Sequence, residues 1–237
     1  MTRAASSAIV DPLLSVVMPA YNERDTIDEI IRRVLAVPVR IELIVVDDCS
    51  TDGTRDLLQA LQRELGFTLV LQAANAGKGS ALRAGFLHVT GDIVIIQDAD
   101  LEYSPEEYPP LIELICAGRA DVVYGSRFLG RHRVFLFTHY LGNKLLTLVT
   151  NVLYNTILTD METCFKVMRI EVLRSFTLES NGFGIEPELT AKIFKRRYRV
   201  YEIPITYDGR SYDEGKKITW RDGLVALWVL IKYRFTE

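Results

Sequence analysis

Short, almost wholly apolar runs alternate along the chain with stretches of helix length, and this alternation limits the possible folds more than any other feature. The runs are Leu14 to Met18, Ile41 to Val46, Thr68 to Leu71, Asp92 to Gln97 and Val122 to Tyr124. Between them lie Thr26 to Ala36, Thr54 to Leu65, Ser80 to His88 and Pro105 to Ala117, each long enough for a helix. Strands apolar on both faces and separated by helices predict an α/β fold, with a mainly parallel central sheet flanked by helices. Ligands of such sheets bind beyond the carboxyl ends of the strands. The polar residues that follow the runs are therefore expected to meet on one rim. At 237 residues, 49% of them apolar, the chain has core material for one α/β domain or for a domain with an appendage.

Three polar clusters follow strand ends: Pro19-Ala-Tyr21-Asn22-Glu23, Asp47-Asp48-Cys49-Ser50-Thr51-Asp52-Gly53-Thr54, and Asp98-Ala99-Asp100. Carboxylates two apart on extended backbone point the same way and repel, so Asp98 and Asp100 call for a cation. A hard divalent ion that also holds a substrate's phosphate oxygens suits them, since such ions use one or two protein carboxylates plus phosphate. The alternative is that both aspartates begin a loop and cap the helix that Pro105 opens. Asp47 and Asp48 can accept hydrogen bonds from a ribose or a base, whereas Ser50 to Thr54 reads as a turn and helix cap. Asn75-Ala-Gly77-Lys78-Gly79-Ser80 precedes a helix and can offer backbone N–H groups to an anion, or it is a glycine-rich turn with a solvated lysine. It fits neither a Walker loop nor a dinucleotide-binding fingerprint, with Leu82 where the third glycine of the latter belongs.

Composition narrows the partners. A net charge of -3 supplies no broad basic field, so nucleic acid is not expected, and any phosphate ligand must be met by a few placed cations. Cys49, Cys116 and Cys164 are widely spaced and odd in number, which points to a reduced, cytosol-facing protein without a cysteine metal site. His88, His132 and His139 belong to no recognisable triad. Residues 1–11 lack the sustained apolar core of a secretory signal and read as a disordered lead-in.

The clusters resemble, in order, those of family 2 glycosyltransferases: Val17-Met-Pro-Ala-Tyr-Asn-Glu23, Val46-Asp-Asp-Cys-Ser-Thr-Asp-Gly-Thr54, Asn75-Ala-Gly-Lys-Gly79, Asp98-Ala-Asp-Leu-Glu102 and Gly125-Ser-Arg127. Thr159-Asp-Met-Glu-Thr-Cys-Phe-Lys166, Gly182-Phe-Gly-Ile-Glu-Pro-Glu188 and Tyr207-Asp-Gly-Arg210-Ser-Tyr-Asp-Glu-Gly-Lys216 resemble the dolichol-phosphate mannose synthase-like branch. The resemblance implies a GT-A fold over residues 12–218. It also implies inverting transfer of a hexose from a nucleotide-sugar, GDP-mannose or UDP-glucose, to a polyprenyl or dolichyl phosphate. Positions matching Pro19, Tyr21, Glu23, Val46 and Asp48 would surround the nucleoside, and Gln97, Asp98, Ala99 and Asp100 the diphosphate. Asp98, Asp100 and Glu102 would hold Mg²⁺ or Mn²⁺; the family often has glutamine at the last of these. Arg127, Arg210 and Lys216 match positions that meet phosphates, and Asp98, Asp100 and Arg127 are the expected catalytic set. A family member using a hydroxyl acceptor is the alternative, with Glu186 or Glu188 as its base.

A phosphate acceptor also suits the chemistry. A phosphate monoester has a second pKa near 6 and is mostly dianionic at neutral pH, so no general base is needed to activate it. Its lipid tail, however, requires a membrane surface. Residues 134–158 carry Asn143, Lys144, Asn151 and Asn155 at helical spacing among Leu, Phe and Tyr, which reads as an interfacial helix or an ordinary core-packed amphipathic one. Arg127, Arg131 and Arg133 just upstream suit anionic headgroups. A C-terminal apolar helix over 219–237 falls short of the ~20 residues needed to span a bilayer. These features predict a cytoplasmic protein held peripherally on the inner face of a membrane.

Overall fold

The computed structural model describes residues 6–133, 136–209 and 220–236. A sheet in the order β3-β2-β1-β4-β6-β5-β7 forms its centre. Its strands are β1 (Leu13–Ala20), β2 (Arg40–Asp47), β3 (Thr68–Leu71), β4 (Ile93–Ile96), β5 (Val122–Ser126), β6 (Lys166–Arg169) and β7 (Val200–Pro204). β1 pairs in parallel with β2 and β4, β2 with β3, and β5 with β7. β6 runs antiparallel to both its neighbours, β4 and β5. Because β1, β2, β4 and β5 share a direction, their carboxyl ends lie on one rim, and β6 starts there. The expected mainly parallel sheet is present, with β6 and β7 added to the strands read from the sequence.

The core follows from strand composition. Val16, Val17, Met18, Ile44, Val45, Val46 and all of β4 are fully buried, as strands covered on both faces require. The helices are α1 (Ile27–Ala36), α2 (Thr54–Leu65), α3 (Lys78–Phe86), α4 (Tyr108–Cys116), α5 (Phe137–Tyr154), α6 (Ile170–Arg174), α7 (Ile185–Lys195) and α8 (Trp220–Phe235). α1 buries Ile27, Ile30, Ile31 and Val34, one stripe at helical spacing, and carries Asp28 and Glu29 at its N-terminus and Arg33 at its C-terminus, where each sign suits the helix dipole. Gly85 lets α3 lie close on the sheet: a Cβ there would come within 2.5 Å of Val17 and 3.1 Å of Val46.

Residues 6–11 differ from the expected disordered lead-in, while Met1 to Ala5 lie outside the described residues. The Ile9 amide donates to the Cys116 carbonyl at 2.9 Å, Arg169 donates to the Ser7 carbonyl, and Ser6 Oγ donates to Asp121 at 2.8 Å. Asp121 is also bound by the side chain and amide of Arg199. Burial opposes its charge, but the hydrogen bonds from Arg199 and Ser6 outweigh burial and draw the carboxyl down to about 2. A folded-state pKa below the unfolded one stabilises the fold above the unfolded value and loses that effect as pH falls through the folded one. Asp121→Asn is therefore expected to cost about 2 kcal/mol in urea unfolding at pH 7, shrinking between pH 4 and 2. A cost that stays constant over that window would remove the assignment.

Beyond the rim, α5 packs on α8 and α8 on α7, with the Tyr154 hydroxyl donating to the Leu230 carbonyl at 2.8 Å. The polar positions of α5 serve the protein: Asn151 pairs with the backbone of Leu158 in both directions, Asn155 ends the helix at φ 51°, and Lys144 donates to the Thr159 carbonyl. Leu141, Leu145, Leu148 and Val152 are exposed, as are Leu224, Val225 and Trp228 of α8. Among the described residues no helix is long and apolar enough to cross a membrane.

Candidate active site

A cavity of about 840 Å³ opens at the rim, and the three clusters meet in it. Pro19, Tyr21 and Glu23 line it from the end of β1, Asp48 from β2, Asp98, Ala99, Asp100 and Glu102 from β4, and Arg127 from β5. α5 and α8 form another wall through residues such as Leu145, Val149, Trp220 and Leu224. The strand-end side of the cavity is thus carboxylate-rich, while the helical side is largely apolar, with His139, Asn143 and Asp222 among its leucines.

Two residues expected to touch the nucleoside or diphosphate do not line the cavity. Val46 is fully buried, its side chain lying under Gly85 in the helix-sheet interface. Gln97 is also fully buried: its Oε1 accepts from the Tyr108 hydroxyl at 2.6 Å and its Nε2 donates to the Asp98 carbonyl at 3.0 Å. α3 covers Val46, and Tyr108 of α4 holds Gln97 inward. Gln97 therefore positions the backbone that carries Asp98. Arg210 and Lys216 lie outside the described residues.

Asp48 lines the cavity, yet its carboxylate accepts from the Ala76 and Gly77 amides at 2.9 and 2.8 Å. Its first task is to fix the loop before α3. Asp47 is fully buried and accepts from Arg55 at 2.6 Å, so it supports the strand end from beneath. Gly77 stands at φ 92°, and a Cβ there would meet the Asn181 carbonyl at 2.7 Å, so the loop depends on glycine.

The loop sends Lys78 into the cavity, where its ammonium lies 2.7 Å from Asp98 and 3.3 Å from Glu186. Burial would lower the pKa of this lysine, but the charges of Asp98 and Glu186 prevail and raise it well above its ordinary value. Part of the positive charge called for by the paired aspartates is therefore supplied by the protein. Glu186 also holds Lys166, fully buried, at 2.6 Å. Glu188, the other candidate base, is fully buried and accepts from the Glu179 and Ser180 amides and from Lys192. That fixes it as a structural carboxylate.

Arg127 is held more tightly than a phosphate-seeking arginine needs to be. Its Nε and one terminal nitrogen donate to Asp160 at 2.7 and 2.8 Å, and the guanidinium lies 5.2 Å from the Tyr207 ring. The Tyr207 hydroxyl donates to Glu102 at 2.6 Å, and the Glu102 amide to Asp100 at 3.2 Å. Asp160, Glu162, Lys166 and Tyr207 lie in segments that resemble the family's, but the sequence assigned none of them a role, although Thr159 to Lys166 packs two acids and a lysine into eight residues.

Among the described residues no three His, Cys, Asp or Glu side chains are grouped so as to hold a metal by themselves. Asp98 and Asp100 nonetheless present hard oxygen donors on a cavity wall. Mg²⁺ or Mn²⁺ sharing two carboxylates with a diphosphate fits that donor set, and a soft metal does not.

Residues 15–177 match the family model described as glycosyl transferase family 2. Over 210 residues the chain is 32% identical to the dolichol-phosphate mannosyltransferase of Pyrococcus furiosus, covering 86% of this chain and 58% of that protein. Over 116 residues it is 41% identical to an undecaprenyl-phosphate 4-deoxy-4-formamido-L-arabinose transferase of Sodalis glossinidius, covering 46% of this chain and 35% of that protein. The chain thus spans less than two thirds of the length of these relatives. Among solved structures, glucosyl-3-phosphoglycerate synthase of Mycobacterium tuberculosis, crystallised with Mn²⁺, UDP and phosphoglyceric acid, superposes with a TM-score of 0.73 at 23% identity, covering 95% of this chain and 80% of that one. That likeness establishes the GT-A type of α/β fold. With motif order, sheet topology and a family model over most of its length in agreement, the chain belongs to glycosyltransferase family 2.

Proposed function

We propose that the protein transfers a single hexose, with inversion, from a nucleotide-sugar to a polyprenyl phosphate. One observation carries this reading: a single cavity joins the carboxylate rim to the outward apolar face of α5 and α8, so a charged donor and a lipid-borne acceptor can reach the same space. The relatives named for dolichol-phosphate and undecaprenyl-phosphate transfer support it. The expected donor is GDP-mannose or UDP-glucose.

In this reading Pro19, Tyr21 and Glu23 receive the nucleoside, and Asp98 and Asp100 hold Mg²⁺ or Mn²⁺, with Glu102 beside them. When bound, the ion offsets the charge of the departing diphosphate. Lys78 and Arg127 add fixed positive charge to a cavity that must admit two anionic groups. The acceptor oxygen is already ionised, so the protein's work is alignment and charge compensation. Calorimetric titration of UDP-glucose and GDP-mannose with and without Mg²⁺ tests the site: divalent-dependent binding of at least one is expected, and its absence for both rejects the reading.

We also infer that α5 and α8 rest on the inner face of a membrane through their outward residues. Leu148 and Trp228 are 58% and 64% exposed, one on each helix. Replacing both with glutamate is expected to remove about 3 kcal/mol of apolar insertion and on the order of 10²-fold in binding to anionic vesicles. Sedimentation measures this, and the melting temperature should hold because neither side chain is buried. Unchanged sedimentation would remove the membrane assignment.

A further inference from the structure

Glu162 is an acid in the cavity that the transfer reading leaves without a task. It lies in the segment leading into β6 and lines the same wall as Asp98 and Arg127. Its Oε1 is buried and accepts no hydrogen bond among the described residues. The neighbouring carboxylates are all employed. Asp160 binds Arg127, Glu202 accepts from the amides of Thr159 and Asp160, and Glu188 accepts from those of Glu179 and Ser180. Glu186 Oε1 likewise makes no hydrogen bond, but it lies 3.3 Å from the Lys78 ammonium. A buried carboxyl oxygen without a hydrogen bond is costly for the fold, and a ligand that donates one would complete its bonding.

Strand order tells which part of a ligand would do so. Along the rim the sequence is β2, β1, β4, β6, β5. If the nucleoside lies over the ends of β1 and β2 and the diphosphate at β4, the next unit of a nucleotide-sugar falls over the start of β6, where Glu162 stands. A carboxylate there repels phosphate and accepts from hydroxyls, and beyond the nucleoside the hydroxyls of a nucleotide-sugar belong to its sugar. Burial outweighs the attraction of Lys166 and lifts the Glu162 carboxyl to about 7, and hydroxyl donors would favour its ionised form.

Resting on the transfer reading, we propose that Glu162 binds hydroxyl groups of the transferred sugar and thereby selects among donor sugars. Nothing in this role takes a proton from the acceptor. It differs from a base in what its removal changes: affinity for the sugar-bearing donor falls, while affinity for the bare nucleoside diphosphate does not.

The test compares wild type, Glu162→Gln and Glu162→Ala by calorimetry with UDP, UDP-glucose, GDP and GDP-mannose in Mg²⁺, alongside steady-state kinetics with the donor that wild type binds. Glu162→Gln is nearly isosteric and keeps the test open if the alanine variant does not fold. At least about tenfold weaker binding of the sugar nucleotide by the alanine variant is expected, with a smaller loss for the glutamine variant and a parallel rise in KM. The nucleoside diphosphate should bind within about twofold of wild type. Equal weakening of both ligands would overturn the proposal in favour of a structural role. A fall in kcat at unchanged donor affinity would overturn it in favour of a base. Variants indistinguishable from wild type overturn the role of Glu162 alone, whereas a wild type that binds neither sugar nucleotide overturns the transfer reading as well.

Discussion

Asp100→Asn is expected to lower sugar transfer by roughly 10³-fold while leaving the fold intact, because it removes a charge offered to the metal and diphosphate with almost no change of side-chain shape. Asp100 lines the cavity, and asparagine preserves both its shape and an oxygen that can accept from the Glu102 amide. Asp98 makes a less clean test. It is ion-paired with Lys78, so neutralising it leaves a buried ammonium facing Glu186 alone and mixes a stability loss with the catalytic one. Turnover of Asp100→Asn measured beside its melting curve separates the two effects. Turnover within tenfold of wild type would exclude the aspartate from the metal site.

The second large effect concerns stability. In the Arg127-Asp160 pair the side chains are only 10% and 0% exposed. Arg127→Ala would strand the Asp160 carboxylate in the interior, and removal of one partner of a buried pair costs about 3–5 kcal/mol. Asp160→Asn combined with Arg127→Met should recover part of that loss, since no buried charge is then left uncompensated. Urea unfolding of the single and double variants decides the matter. If Arg127→Ala unfolds like wild type but loses activity, the arginine serves the ligand alone and its anchoring by Asp160 is incidental.

How far the sequence specified this molecule depends on how local each signal was. The strands with unbroken apolar runs stand out because both faces are covered, and α1 stands out because its isoleucines fall on one stripe. β6 did not. Its four residues begin with Lys166 and end with Arg169, and both charges are buried against remote groups: Glu186 for the lysine, and the Ser7 and Ile115 carbonyls for one nitrogen of the arginine. No local pattern announces such partners. The gathering of Pro19, Tyr21, Glu23, Asp48, Asp98, Ala99 and Asp100 around one cavity was legible because parallel strands put their ends on one rim, whereas Glu102 and Arg127 were expected there only from the family resemblance.

Side-chain direction at that rim was harder to read. Val46 and Gln97 lie one or two residues before site residues in the chain, yet α3 covers the one and Tyr108 binds the other. Lys78 could be read as a solvated turn lysine until the fold brought Asp98 and Glu186 to it. The polar stripe of α5 was visible in Asn143, Lys144, Asn151 and Asn155, while its inward direction depends on partners such as Leu158 and Thr159 supplied by the folded chain.

In the proposed reaction a nucleotide-sugar and a lipid phosphate meet in one cavity. Purified protein incubated with radiolabelled UDP-glucose or GDP-mannose, undecaprenyl or dolichyl phosphate and Mg²⁺ or Mn²⁺, then extracted with organic solvent, tests this most directly. The predicted result is label in the organic phase as a glycosyl phospholipid, formed only when both acceptor and divalent ion are present. Label that never leaves the aqueous phase with either donor, or that reaches the lipid equally well in excess chelator, would contradict it.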